Sequence, residues 1–162
     1  MTQRPPSLAE EIKQNRPFAT STEEALVSVL RAAALLRRVL GQRIDPFGIS
    51  PAQYNVLRIL RGAGSDGLPT LAVRDRLVEE APGITRLIDK LESAKLVRRD
   101  RTGKDRRTVR CHITPAGLEL LELADEDVRS IHAIVAEGLP DEADRLKLVD
   151  LLARLRAAVP TG

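Results

Sequence analysis

The chain has 162 residues, of which 43% are hydrophobic and 30% charged, a balance that suits a single domain with a genuine core and a polar surface. Aromatics make up only 2% (Phe18, Phe47 and Tyr54, with no Trp), so the core is aliphatic, and proteins that stack single-stranded bases on several aromatic platforms are disfavoured. The single cysteine, Cys111, rules out an internal disulfide, and with only His112 and His132 to add imidazoles neither a metal site nor a cofactor is expected.

Residues 1–20, with Pro5, Pro6 and Pro17, hold no apolar stretch suited to a signal peptide, and no run approaches the ~20 residues that span a bilayer. A soluble, cytoplasmic protein without a membrane partner is the expectation. The net charge of +3 is unevenly spread. Within 98–110, seven basic residues (Arg98, Arg99, Arg101, Lys104, Arg106, Arg107 and Arg110) stand against Asp100 and Asp105, whereas 111–162 is acidic. Such a run is a footprint for a polyanion, or a plain solvated loop.

In chain order, residues 1–20 read as a mobile arm. Ser21 with Glu24 forms a capping-box start, and Leu26, Val29, Leu30, Ala33, Leu36 and Leu40 follow at helical spacing to about Arg43. Gly41, Asp45, Pro46 and Gly48 are expected to break that helix. Ser50-Pro51-Ala52-Gln53 is a second start, and Gly62 ends the helix it opens. A loop leads to a short helix over Pro69–Leu77, with Val73 and Leu77 inward. Beyond a turn at Val78–Glu80, Ile84, Leu87, Ile88 and Leu91 define an amphipathic helix over Pro82–Lys95. The period then changes. Val97 opens an extended segment, and Val109, Cys111 and Ile113 alternate with Thr108, Arg110 and His112, which predicts a two-stranded hairpin with one apolar face. Thr114-Pro115 starts a helix to Gly138, and Asp141 and Glu142 precede a last one striped by Leu148, Leu151, Leu152 and Leu155.

Short helices followed by a basic hairpin describe a helix-turn-helix with a wing. On the 82–95 helix, Gly83, Arg86 and Lys90 lie opposite the apolar stripe, free to enter a major groove, and the hairpin turn carries Arg101, Lys104, Arg106 and Arg107 beside it. The expected fold is mainly α with a small β-hairpin wing. A winged helix-turn-helix occupies 50–113, and a helical dimerisation region is built from 21–45 and 115–158.

The residues also resemble the multiple-antibiotic-resistance-regulator (MarR) family. Ser50-Pro51-Ala52-Gln53-Tyr54-Asn55-Val56-Leu57 looks like its second helix, Thr85-Arg86-Leu87-Ile88-Asp89-Lys90-Leu91-Glu92 like its recognition helix, and Leu96-Val97-Arg98-Arg99 like the start of its wing. Asp105-Arg106-Arg107, then Ile113-Thr114-Pro115-Ala116-Gly117, fits the family's wing pattern. The resemblance implies a homodimer whose first and last helices interlock, a regulator of transcription that binds double-stranded DNA at near-palindromic operators. It implies that Arg107 enters the minor groove, that Asp105 orients the wing, and that Arg86 and Thr85 belong to the reading surface. It also implies a small aromatic or other organic effector near the junction of the first two helices, where Phe47 and Tyr54 are the candidate pocket residues, with core packing as the alternative for both.

Two departures bear on function. Pro69 replaces the family's usual hydroxyl cap. Glu79-Glu80 places carboxylates before the recognition helix, facing phosphates unless they cap the helix or pair with Arg74 or Arg76. That acidic pair sustains an alternative, a winged-helix module that binds proteins and has weak or lost DNA binding. Cys111, on the apolar face of its strand, reads as an inert buried thiol. No catalytic Ser/His/Asp or Cys/His constellation and no phosphate-cradling glycine loop is present, so an enzyme is not expected.

Overall fold

A computed structural model describes residues 6–79, 83–100 and 109–160. Among the described residues, seven helices and three short strands follow one another: α1 (Leu8–Glu11), α2 (Ser21–Ile44), α3 (Pro51–Gly62), β1 (Leu68–Pro69), α4 (Thr70–Arg74), α5 (Ile84–Ser93), β2 (Val97–Asp100), β3 (Arg110–Ile113), α6 (Pro115–Gly138) and α7 (Glu142–Ala158), with 3-10 turns at Asp45–Phe47 and Gly64–Asp66.

Local capping chemistry sets most helix starts. At α3, Ser50 Oγ accepts from Gln53 N at 3.2 Å while Gln53 Oε1 accepts from Ser50 N at 2.9 Å, and Pro51 occupies the first turn, where its missing N–H costs nothing. At α6, Thr114 Oγ1 accepts from Gly117 N at 3.1 Å and donates to Lys95 O at 2.7 Å, so one hydroxyl both caps the helix and ties it to the end of α5. The predicted cap of α2 is one residue out. Thr20, not Ser21, caps it, with Glu23 Oε2 returning to Ala19 N. α2 also runs through Gly41, and only the Asp45-Pro46 turn stops it. The N-terminal arm is not wholly irregular: Ser7 and Glu10 box α1, and Glu11 pairs with Arg31 of α2 at 2.7 Å.

The predicted hairpin proves to be a three-stranded antiparallel sheet of order β1-β3-β2. Leu68 faces Cys111 and Pro69 faces Arg110, so the residue expected to open the fourth helix is instead an edge-strand residue, a position where a missing N–H is tolerated. α4 accordingly shortens to five residues and has no side-chain cap. On the other side, Val97 pairs with Ile113 and Arg99 with Cys111.

The core is aliphatic, as the composition requires. Ile44, Val56, Leu57, Leu60, Val73, Ile88, Leu91, Cys111 and Leu121 are fully buried and join α2, α3, α4, α5, β3 and α6 around one centre. Cys111 lies within it, 3.6 Å from Thr70 Oγ1. α7 is different, because no residue in it is buried; Leu146, Leu148, Val149, Leu151 and Leu155 stay exposed, and so do Leu26 and Leu30 on α2.

Candidate nucleic-acid interface and adjoining cleft

α5 buries Ile84, Ile88 and Leu91 and leaves Thr85, Arg86, Asp89 and Lys90 exposed. Gly83 caps its N-terminus at φ 103°, a left-handed conformation that side-chain-bearing residues rarely adopt. Its carbonyl accepts from Arg86 N at 2.9 Å. Gly83, read from sequence as part of the DNA-facing surface, therefore also has a structural duty. Arg86 and Lys90 enter no ion pair among the described residues, and their charges stay on the open face.

Asp89 and Glu92, one turn apart on the flank of α5, are held by Arg99 of β2. Its guanidinium meets Asp89 closely and Glu92 at 3.3 Å, and Glu92 Oε1 accepts from Arg99 N at 3.0 Å. Arg99 thus uses its charge to brace α5 against β2. Arg98 pairs with Asp100 at 3.2 Å, and Arg110 donates to the carbonyls of Asp66 and Gly67 at 2.9 and 3.2 Å. Three members of the basic run are therefore used inside the fold. Arg101, Lys104, Asp105, Arg106 and Arg107, expected at the hairpin turn, lie outside the described residues, as do Glu80 and Pro82.

Where α2, α3 and α6 meet, the surface opens into a cleft of about 670 Å³. Leu36, Leu40, Leu77, Ile131 and Val135 give it apolar walls, while Arg37, Arg58, Glu79 and His132 supply charge and polarity. Tyr54 lines it. Phe47 does not; it is half-buried and packs on the core, the alternative weighed for it from sequence. Tyr54 Oη donates to Asp125 of α6 at 2.5 Å, and Arg61 holds the other carboxylate oxygen at 2.5 Å. Burial, and then the hydrogen bond to Asp125, push the Tyr54 phenol up to about 12, so it remains a donor throughout the neutral range. Burial would raise the Asp125 carboxyl, but the Tyr54 and Arg61 hydrogen bonds outweigh it and hold the group below the ordinary Asp value.

Glu79 takes neither of the partners expected from sequence. Arg74 bonds Asp75, Arg76 bonds the Ala72 carbonyl, and Glu79 instead meets Arg37 of α2 at 2.5 Å. Sequence reading also missed Arg58 and Asp125. Arg58 lies one helical turn after Tyr54, with its guanidinium carbon 5.8 Å from the ring centroid, a spacing that was visible in the sequence. The approach of Asp125 across 71 residues was not.

No family model matches the chain. The crystal structure of a MarR transcription factor from Planctomyces limnophilus is 37% identical in sequence, covers 86% of this chain and 99% of that one, and superposes with a TM-score of 0.64. The chain belongs to the MarR family, and its mainly helical winged-helix fold is that of the family. YkoM of Bacillus subtilis, described as an uncharacterized HTH-type transcriptional regulator, is 35% identical over 104 residues, 61% of this chain. The match spans 64% of YkoM, less than two thirds of that relative's length. Bordetella bronchiseptica BpsR, whose structure concerns regulation of its DNA binding by 6-hydroxynicotinic acid, is 25% identical, with 89% of this chain and 100% of that one covered and a TM-score of 0.75.

Proposed function

We propose that this protein is a cytoplasmic, homodimeric transcriptional repressor that binds near-palindromic operators and is released by a small organic effector. The observation that carries this reading is the two-sided character of α5. One side is locked into the core, while Gly83, Thr85, Arg86 and Lys90 stand exposed on the other with no apolar cover. A helix in this position presents its N-terminal half to base edges in a major groove. Arg107 is assigned to the minor groove, with Arg101, Lys104 and Arg106 on phosphates and Asp105 orienting the wing.

The dimer follows from surface. α7 buries nothing within its own chain, and exposed apolar stripes of that length mark association, so α2 and α7 of two copies would form the centre of a two-fold interface. The cleft lined by Tyr54 supports an effector site, and BpsR, a structural relative, is regulated by an aromatic acid. Of the acidic pair that sustained the protein-binding alternative, Glu79 pairs with Arg37.

Selecting bound fragments from the source genome tests the reading. An enriched inverted repeat, bound with an affinity that falls steeply as salt rises, is expected, since phosphate contacts release counterions. Retention of no fragment above background would reject it.

A further inference from the structure

Arg86 precedes Asp89 by three residues on α5, a spacing at which opposite charges on a helix surface meet. In this structure they do not pair. Arg86 enters no ion pair among the described residues, and the Asp89 carboxylate is taken by Arg99 of β2. Arg99 is held from several directions. Its backbone N–H donates to Glu92 Oε1 at 3.0 Å, and its Nη1 meets Glu92 Oε2 at 3.3 Å. Its Nη2 reaches both Asp89 Oδ1 and the Thr85 carbonyl, the latter at 3.4 Å. On the sheet side, its backbone stands in register with the buried Cys111. The Arg99 side chain is only 25% exposed, whereas Arg86 lies on the open face of α5. Arg99 is therefore the stronger competitor for Asp89, because a partly shielded pair loses less of its attraction to water than one on an open helix face.

We infer that Arg99 is a positioning residue for DNA recognition: by holding Asp89 it keeps that carboxylate from Arg86 and leaves the Arg86 guanidinium free for DNA. This rests on the reading of α5 as the DNA-facing helix. A guanidinium meets a guanine edge or a phosphate with its fork of N–H donors, and a carboxylate three residues along the helix would occupy those same donors. Simple bracing of α5 against β2 makes a different demand, because Asp89 and Arg99 would then be equally necessary. If Arg99 instead frees Arg86, Asp89 is dispensable and turns harmful only when Arg99 is lost.

The test is a mutant cycle in the full-length protein on a genomically selected operator. Arg99→Gln is expected to weaken operator binding about tenfold, within the range of a lost two-pronged base contact. Asp89→Asn alone should stay within about twofold of wild type, and adding it to Arg99→Gln should restore binding to within about threefold. In an Arg86→Ala background, Arg99→Gln should cost less than about twofold, since the contact it spoils is already gone. In labelled protein without DNA, the Arg86 Nε–H resonance should move in Arg99→Gln and return when Asp89→Asn is added. Asp89→Asn in the otherwise unchanged protein should leave that resonance in place, a reading that does not require Arg99→Gln to fold. Three results would overturn the inference: a loss in Asp89→Asn equal to that in Arg99→Gln, a double variant as weak as Arg99→Gln, or an Arg86 resonance that moves on Asp89→Asn alone. Failure of the wild-type protein to bind any DNA would instead remove the regulator reading, because the resonances report the exchange of partners without DNA.

Discussion

Gly117 shows how much of this fold depends on single atoms. A Cβ built there would lie 2.2 Å from the Leu96 carbonyl oxygen and 2.8 Å from Ile113 Cγ1, where α6 starts beneath the end of α5 and the sheet. Alanine inside a helix ordinarily stabilises by roughly 0.5–1 kcal/mol over glycine. Here the overlap dominates, and Gly117→Ala is expected to destabilise by about 1–3 kcal/mol, the usual cost of overpacking. Chemical denaturation at neutral pH checks the sign. The family's wing pattern, in which Thr114 is followed by Gly117, thus has a physical basis in this chain: a hydroxyl that bonds two elements and a site with no room for a methyl.

The same scale explains what sequence made legible. Ser50, Gln53 and Thr114 act on neighbours three residues away, so their roles show in the sequence itself. The open face of α5 follows from period alone. By contrast, Arg37 meets Glu79 across 42 residues and Arg61 meets Asp125 across 64, and nothing in spacing selects those partners among many charged residues. The same holds for β1, because two residues have no periodicity, and Leu68-Pro69 becomes a strand only through pairing with β3.

Between elements, the Tyr54–Asp125–Arg61 network fastens α3 to the long helix α6. Asp125→Asn leaves Tyr54 and Arg61 without their anion and should cost about 1 kcal/mol, less than the roughly 1.5–3 kcal/mol of buried hydrogen bonds to a charged group because Arg61 is partly solvated. The sign of the pH dependence is set by the depressed Asp125 carboxyl. Its contribution is complete above the unfolded Asp value near 4 and disappears as pH falls through the lower folded value. Wild type and Asp125→Asn should therefore differ in denaturation midpoint at pH 7 and converge at strongly acid pH. A constant difference across that range would show that the charge is not what the network uses. Arg99 plays the matching part on the opposite side, joining β2 to Asp89 and Glu92 of α5.

At the level of the whole molecule, α3, α5, β3 and α6 share a buried core, while no residue of α7 is buried. Leu26 and Leu30 on α2 and Leu148, Leu151 and Leu155 on α7 leave an apolar surface that a lone chain does not cover. Sedimentation at micromolar concentration is expected to give a dimer, and truncation after Gly138 should yield a poorly soluble chain that binds DNA weakly. A monomer of the full chain would contradict the two-fold arrangement. With it would go the expectation of two recognition helices one DNA turn apart, ~34 Å.

Whether α5 reads sequence is decided at Arg86, because its loss leaves the buried Ile84–Ile88–Leu91 face untouched. Wild type and Arg86→Ala are titrated against a genomically selected operator and a scrambled duplex at two salt concentrations. Wild type is expected to prefer the operator, and the variant to lose about 1–3 kcal/mol there while binding the scrambled duplex much as before. Equal affinity of wild type for the two duplexes, or an Arg86→Ala variant that keeps the full operator preference, would contradict it.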